Sequence, residues 1–308
     1  MELRHLRYFI AVAEELSFRR AAERLGIKQP PLSAQIHKLE SEIGTPLFRR
    51  QSRGVQLTDA GKLMLEEARV ILKQVERAKT GVARRGRGES GRINVGSSGG
   101  TYFHPLIPVV IREFRKQYPD VVLAPEASNT SLLVARICAG AIDIAFIRPP
   151  ISDSDGLTIV PLVKEDAVMI LPTGHALSGS ASAPLSAIAK DPLILFPRAL
   201  NPGNYDSIID ACHRAGFNPV LGPEAPQVVS IIPMVAAGLG VSIAPQSTSR
   251  IHADGVFYLP IEGEAPHPEI WLVHRRNDHS AAVQNFVAVA RREIPTAAAH
   301  KRKHHTPG

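Results

Sequence analysis

The sequence predicts an α/β protein led by an N-terminal winged helix-turn-helix. Three observations predict it. Apolar residues recur at helical spacing through Ile43, strand-like and helix-like runs alternate after a Gly-rich hinge at residues 86–91, and the excess charge sits at one end of the chain.

A length of 308 residues leads to an expectation of about two domains, and 44% hydrophobic with 21% charged residues excludes disorder as the main description. No run approaches the ~20 apolar residues of a membrane span. The N-terminus lacks the uninterrupted apolar stretch of a secretory signal. Two cysteines far apart, Cys138 and Cys212, give no disulfide framework and no zinc spacing. These features together lead to the expectation of a reducing, cytoplasmic location. Residues 1–90 hold 18 Lys/Arg against 11 Asp/Glu, residues 91–295 hold 15 against 18, and residues 296–308 hold 3 against none. The first 90 residues thus carry +7, equal to the whole chain's net charge, as expected of an arm that meets a polyanion.

Leu3, Leu6, Phe9, Val12, Ala13 and Leu16 form the stripe of a first helix. Ser17 has the type and place of an N-cap for a second, short helix with Ala21, Ala22 and Leu25 inward, and Gly26 suits its exit at positive φ. Pro30 and Pro31 fit only the first turn of a third helix, whose stripe is Leu32, Ile36, Leu39 and Ile43. Its outward face offers Gln29, Ser33, Gln35, His37 and Lys38, hydrogen-bonding groups able to reach base edges and phosphates in a major groove. Residues 46–57 place two short apolar runs around a polar turn, a hairpin with Arg49, Arg50 and Arg53 as a basic wing. Thr58 is positioned to cap a long helix. Its apolar positions Ala60, Met64, Ala68, Ile71, Val75, Ala78 and Val82 approach a coiled-coil seam and lead to the expectation of a dimer contact.

The runs Ser17-Phe18-Arg19-Arg20-Ala21-Ala22-Glu23-Arg24-Leu25, Gln29-Pro30-Pro31-Leu32-Ser33-Ala34-Gln35-Ile36, Gly44-Thr45-Pro46-Leu47-Phe48-Arg49-Arg50 and Val55-Gln56-Leu57-Thr58-Asp59-Ala60-Gly61 resemble the DNA-binding domain of LysR-type transcriptional regulators. The resemblance implies a winged helix-turn-helix over residues 1–58, a dimerising linker helix and hinge over 59–90, and an effector domain over 91–295. It carries base or phosphate contacts on double-stranded DNA onto Gln29, Pro30, Ser33, Gln35, Lys38 and Arg53. It also implies a homodimer through the linker helix, a homotetramer as a dimer of dimers, and an indirect effect on RNA polymerase. One departure stands out: many members have Arg after the serine, where this chain has Ala34.

Past the hinge, strands are expected at 93–95, 121–124, 142–147, 168–171, 193–196, 241–244 and 269–274. Helices are expected at 105–118, 130–139, 205–215, 230–237 and 281–293. This alternation leads to the expectation of mainly parallel sheets with helices on both faces. The resemblance sharpens it to two lobes like those of periplasmic binding proteins. Lobe I would span about 91–162 and 266–295, lobe II about 163–265, with a basic, disordered tail at 296–308. A cleft between such lobes binds ligands at strand C-termini and helix N-termini. Gly96-Ser97-Ser98-Gly99-Gly100-Thr101 and Asn129-Thr130-Ser131 both lie at such points, Thr130 as a capping hydroxyl. By resemblance, Ser97, Ser98, Thr130, Phe196, Asn204 and Ser230 border an effector pocket. Arg148, just after a strand, is placed to pair with a carboxylate. Together they point to a small organic anion and to no cofactor.

Other chemistries are weaker. Gly96-x-Ser98-x-Gly100 matches a nucleophile-elbow pattern, but an elbow needs a sheet already built by earlier strands, and no HGGG-type oxyanion motif occurs. The same glycines lack a P-loop lysine. His104 and His175 lack metal-ligand spacing, and the run His300 to His305 reads as a solvated terminus. Cys138 and Cys212 fall on expected helices as buried hydrophobes, with a thiol sensor as the lesser alternative. A stand-alone solute-binding protein is disfavoured by the basic arm.

Overall fold

The computed structural model describes the chain except residues 52–53, 152–153, 201 and 304–308, and divides it into two compact units, Met1–Arg84 and Arg85–Gly308.

The first unit holds α1 (Leu3–Glu15), α2 (Phe18–Leu25), α3 (Gln29–Ile43), the antiparallel pair β1 (Phe48–Gln51) and β2 (Gly54–Leu57), and most of α4 (Asp59–Gly86). Ser17 Oγ accepts from Arg20 N at 3.4 Å and Gly26 leaves α2 at φ 65°, as their residue types require. Leu6, Phe9, Val12, Ala21, Leu32, Ile36, Leu39 and Leu47 form one core. Glu40 anchors the wing to α3: its Oε1 accepts from Leu47 N at 2.8 Å and Phe48 N at 3.1 Å. Leu16, in a left-handed conformation, accepts from Val55 N through its carbonyl at 3.1 Å and so holds the second wing strand.

Thr58 caps α4 by accepting from Gly61 N at 2.9 Å. The seam expected on α4 is divided in two. Ala60, Met64, Ala68 and Ile71 pack into the unit's own core, Val75 is half-buried, and Ala78 and Val82 are exposed, as are Leu63 and Val70 outside the expected seam. The heptad-like spacing of the first group thus reflects packing within the unit. Arg69 of α4 and Arg24 of α2 meet Glu14 of α1, each at 2.8 Å, and hold its carboxyl below the usual range.

The second unit holds two lobes. In lobe I, β3 (Ser90–Ser98), α5 (Leu106–Gln117), β4 (Asp120–Ser128), α6 (Thr130–Cys138), β5 (Ile144–Ile147) and β6 (Leu157–Lys164) alternate, and the chain returns late as β13 (Glu269–Arg275) and α9 (Ala281–Lys303). The sheet order is β4-β3-β5-β13-β6. Lobe II holds β7 (Ala167–Pro172), the short β8 (Ala183–Pro184), β9 (Pro192–Leu195), α7 (Pro202–Arg214), β10 (Val220–Glu224), α8 (Val228–Ala236), β11 (Ser242–Pro245) and β12 (Val256–Glu262).

The expectation of mainly parallel sheets holds only in part. β3 is parallel to β4 and β5, and β9 to β10, but β13 is antiparallel to both β5 and β6, and β7 to both β11 and β12. A parallel neighbour needs a crossover, usually a helix. β6 carries the chain out of lobe I and β13 brings it back beside it in the opposite direction, while β11 and β12 flank β7 and both run against it. β6, β8, β10 and β12 are absent from the expected strands because their runs are short or interrupted by Pro or Gly.

Lobe I is built around Ile93, Val95, Phe114, Phe146, Leu272 and Phe286, and lobe II around Met169, Leu171, Leu195, Ile208, Cys212 and Ile243. The last helix continues to Lys303, past the expected start of a disordered tail; Ala297–Ala299 are strong helix formers. His304 and His305 lie outside the described residues. No helix among the described residues is long and apolar enough to cross a membrane.

Two expected outcomes follow from this packing. A Cβ at Gly61 would meet Leu47 O at 2.1 Å, so Gly61→Ala should destabilise the N-terminal unit by about 2 kcal/mol or more, read as a lower denaturation midpoint. Cys138 is exposed, contrary to the buried reading, whereas Cys212 is buried and burial pushes its thiol up to about 11. A thiol with a raised pKa stays protonated below that value, so iodoacetamide at pH 8 should alkylate Cys138 and spare Cys212; mass spectrometry of the native protein checks it.

Candidate functional site

The outward face of α3 is set by its buried stripe. Leu32, Ile36 and Leu39 point inward, so at about 100° per residue Pro30, Ala34 and Lys38 face away from the core. Gln29, Pro30 and Lys38 are exposed, and Ser33 and Gln35 are half-buried on the two flanks. Ala34, the residue that departs from the resembled pattern, thus lies mid-face. Gln35 is less available than its sequence position suggests. Its Oε1 lies 2.8 Å from Nε2 of the buried His5, whose Nδ1 accepts from Glu2 N at 3.2 Å. With Nδ1 accepting, Nε2 carries the proton and Gln35 Oε1 accepts, leaving the Gln35 amide N–H₂ to face outward contacts. Arg53 lies outside the described residues.

A cavity of about 600 Å³ lies between the lobes of the second unit. One wall is the end of β3. Gly99 (φ 51°) and Gly100 (φ 73°) turn the chain there, presenting Ser97, Ser98, Tyr102 and Phe103. The start of α6 supplies Asn129 and Thr130, and the end of β5 supplies Arg148. Lobe II contributes Phe196, Leu200, Asn204, Gln227, Val229 and the β11 residues Ile243 to Pro245. Six of the seven residues singled out from the sequence, Ser97, Ser98, Thr130, Arg148, Phe196 and Asn204, therefore meet around one space. Ser230 is not among the lining residues; Val229 occupies that side of α8, and one helical step rotates its neighbour away.

The hydroxyls form a connected group. Thr130 Oγ1 lies 3.1 Å from Ser98 Oγ and 3.2 Å from the Arg148 carbonyl, and Ser98 Oγ accepts from Arg148 N at 3.2 Å. A serine oxygen that accepts in this way still has its proton to donate. Ser97 Oγ pairs with Thr101 Oγ1 at 2.8 Å. Thr130 is not the cap of α6. Asn129 is, its Oδ1 accepting from Leu132 N at 2.8 Å, and this leaves the Thr130 hydroxyl to join the strand ends.

Arg148 has a partner within the protein. Its Nη2 lies 3.0 Å from Glu165 Oε1, with the side chains 4% and 2% exposed, and Glu165 Oε2 accepts from Ser247 N at 2.8 Å. Burial lowers the Arg148 pKa and the Glu165 carboxylate raises it; a guanidinium stays protonated in either case. The guanidinium Nε is buried without a hydrogen-bond partner. Glu165 escaped the sequence reading, because Lys164-Glu165-Asp166 between β6 and β7 has the composition of a solvated turn.

Gly96 of the elbow-like pattern packs closely: a Cβ there would meet Leu133 at 2.8 Å and Ala145 at 2.9 Å. Its glycine answers to helix–strand packing, and Ser98 is bonded to Thr130 and Arg148 rather than to an imidazole.

Comparisons with known proteins agree with this architecture. Residues 3–62 match the family described as bacterial regulatory helix-turn-helix protein, lysR family, and residues 86–295 match the LysR substrate binding domain. The HTH-type transcriptional regulator YnfL of Escherichia coli is 38% identical over 93% of this chain and 96% of its own. BudR of Raoultella terrigena is 37% identical over 93% of this chain and 99% of its own. The crystal structure of CbnR, a LysR family transcriptional regulator, aligns at TM-score 0.84 and 28% identity over 94% of this chain and all of that one. A full-length CbnR in complex with its target DNA gives the same TM-score and identity over 96% of this chain and all of that one. The chain belongs to the LysR family and is a DNA-binding transcription regulator with an effector-binding domain, not an enzyme.

Proposed function

We propose that α3 lies in a DNA major groove, with Gln29, Pro30, Ser33, Gln35, Lys38 and Arg53 contacting bases or phosphates, and that a small carboxylate bound between the lobes controls the regulator. The homodimer forms through α4, and its exposed residues Leu63, Val70 and Val82 supply the contact. Two dimers make a tetramer that reads half-sites about one helical turn, or a multiple of it, apart. The effector acts by binding unequally to two arrangements of the assembly, which changes the access of RNA polymerase in the cytoplasm.

The observation that carries the effector reading is the hydroxyl group at Ser98 and Thr130, placed at the N-terminus of α6 in an otherwise largely apolar cavity. A helix N-terminus carries about half a positive charge and free N–H donors, and added hydroxyl donors complete a carboxylate site. The residues Phe196, Leu200, Val229 and Ile243 suit the organic body of such a ligand.

Thr130→Val keeps the shape but removes the hydroxyl that holds Ser98 Oγ in place, so effector response should fall about tenfold or more with DNA affinity unchanged. Equal loss of both, measured by fluorescence anisotropy with and without ligand, would count against a separate effector cavity. On the DNA side, Lys38→Ala should weaken binding to all sequences and lower the salt slope by about one, whereas Ser33→Ala should relax sequence preference at similar slope. A salt titration of binding to an operator and to an unrelated duplex separates the two.

A further inference from the structure

The charge of the cavity wall restricts its ligand more narrowly than the word carboxylate does. Among the described lining residues one side chain is formally charged, Arg148. Its charge is already matched by Glu165 at 3.0 Å, in a pair sealed from solvent and completed by Ser247 N on the far oxygen at 2.8 Å. The pair is therefore close to neutral as the ligand meets it. Its Nε–H is buried without a partner in the protein, so no charged group of Arg148 is left over for a ligand.

One carboxylate finds compensation here, from the start of α6 and the free hydroxyl proton of Ser98. A second carboxylate on the same ligand would face Phe196, Leu200, Ile243 and Pro245 and the neutral amides of Asn204 and Gln227, with no second cation among the described lining residues to pair with it. We infer that Glu165, by holding Arg148, fixes the ligand's negative charge at one: the cavity takes a monocarboxylate with an apolar body and rejects dicarboxylates of the same length. This rests on the carboxylate reading above and adds the charge count and the residue that sets it. Glu165 acts through Arg148 and is a specificity-determining residue without contact to the ligand.

The test is titration calorimetry on the full-length protein with benzoate and hexanoate, with phthalate and adipate, and with benzamide and hexanamide. The expected result is that a monocarboxylate binds and its dicarboxylate counterpart binds about a hundredfold more weakly. A dicarboxylate that binds as tightly as the monocarboxylate overturns the proposal and leaves the carboxylate reading standing. Preference for the amides, or no binding by any acid at millimolar concentration, overturns the carboxylate reading itself. Glu165→Gln keeps the side-chain shape but frees the Arg148 charge, so the preference for one carboxylate over two should shrink by about tenfold or more. An unchanged preference in a variant with native circular dichroism removes Glu165 from the assignment.

Discussion

A guanidinium buried at the junction of two lobes must be paired, because an isolated ion there would lose its hydration without compensation. Arg148 stands at the end of β5 in lobe I, and Glu165 stands where the chain leaves that lobe for the other. The Glu165 carboxylate then reaches Ser247 N, beyond β11 of lobe II, while the Glu165 N–H donates to Pro268 O on the returning strand. One ion pair thus fastens both crossings of the chain and a lobe II turn to the end of the strand beside the cavity. Breaking it from one side would leave an uncompensated charge, which makes this junction costly to rearrange and sensitive to any anion that approaches Arg148.

The hydroxyl group of Ser98 and Thr130 depends on the same junction. Ser98 is held by Arg148 N, and Thr130 by the Arg148 carbonyl, so the backbone of the paired residue sets the position of the Ser98 hydroxyl that a ligand would meet. Close packing sets the rest. Gly96 lets β3 lie against Leu133 of α6, which brings the end of β3 beside the start of α6. In the N-terminal unit, Gly61 and the Glu40 carboxylate do the equivalent task, fixing the wing and α4 against α3 by contacts that leave no room for a Cβ or for a neutral side chain without hydrogen-bonding capacity.

Much of this was legible along the chain because it is local. Ser17, Gly26, Pro30 and Thr58 mark helix ends through their own backbone preferences, and the structure puts caps and turns at those residues. The Leu32-Ile36-Leu39 stripe states which face of α3 is outward. Six of the seven residues chosen for the cavity meet there, since strand ends and helix starts carry recognisable residue types. What failed was decided by distant partners. Gln35 is drawn toward His5 thirty residues away, Arg148 toward Glu165, and half of the α4 seam into its own core. Ser230 lies one helical step from the lining residue Val229, a distinction that sequence pattern alone does not resolve.

The sequence by itself determined the order of modules, the helix boundaries of the DNA-binding arm, the charge asymmetry and the family, because these rest on composition, short-range backbone preference and an ungapped motif. Tertiary structure alone decided the strand directions, the sharing of α4 between core and exposed face, and the pairing of Arg148, the one charged residue among the described residues that line the cavity. Those depend on which side chains become neighbours across more than ten residues, and burial then fixes their energetic meaning: a lone arginine in the sequence is a cation, whereas in the fold it is half of a pair.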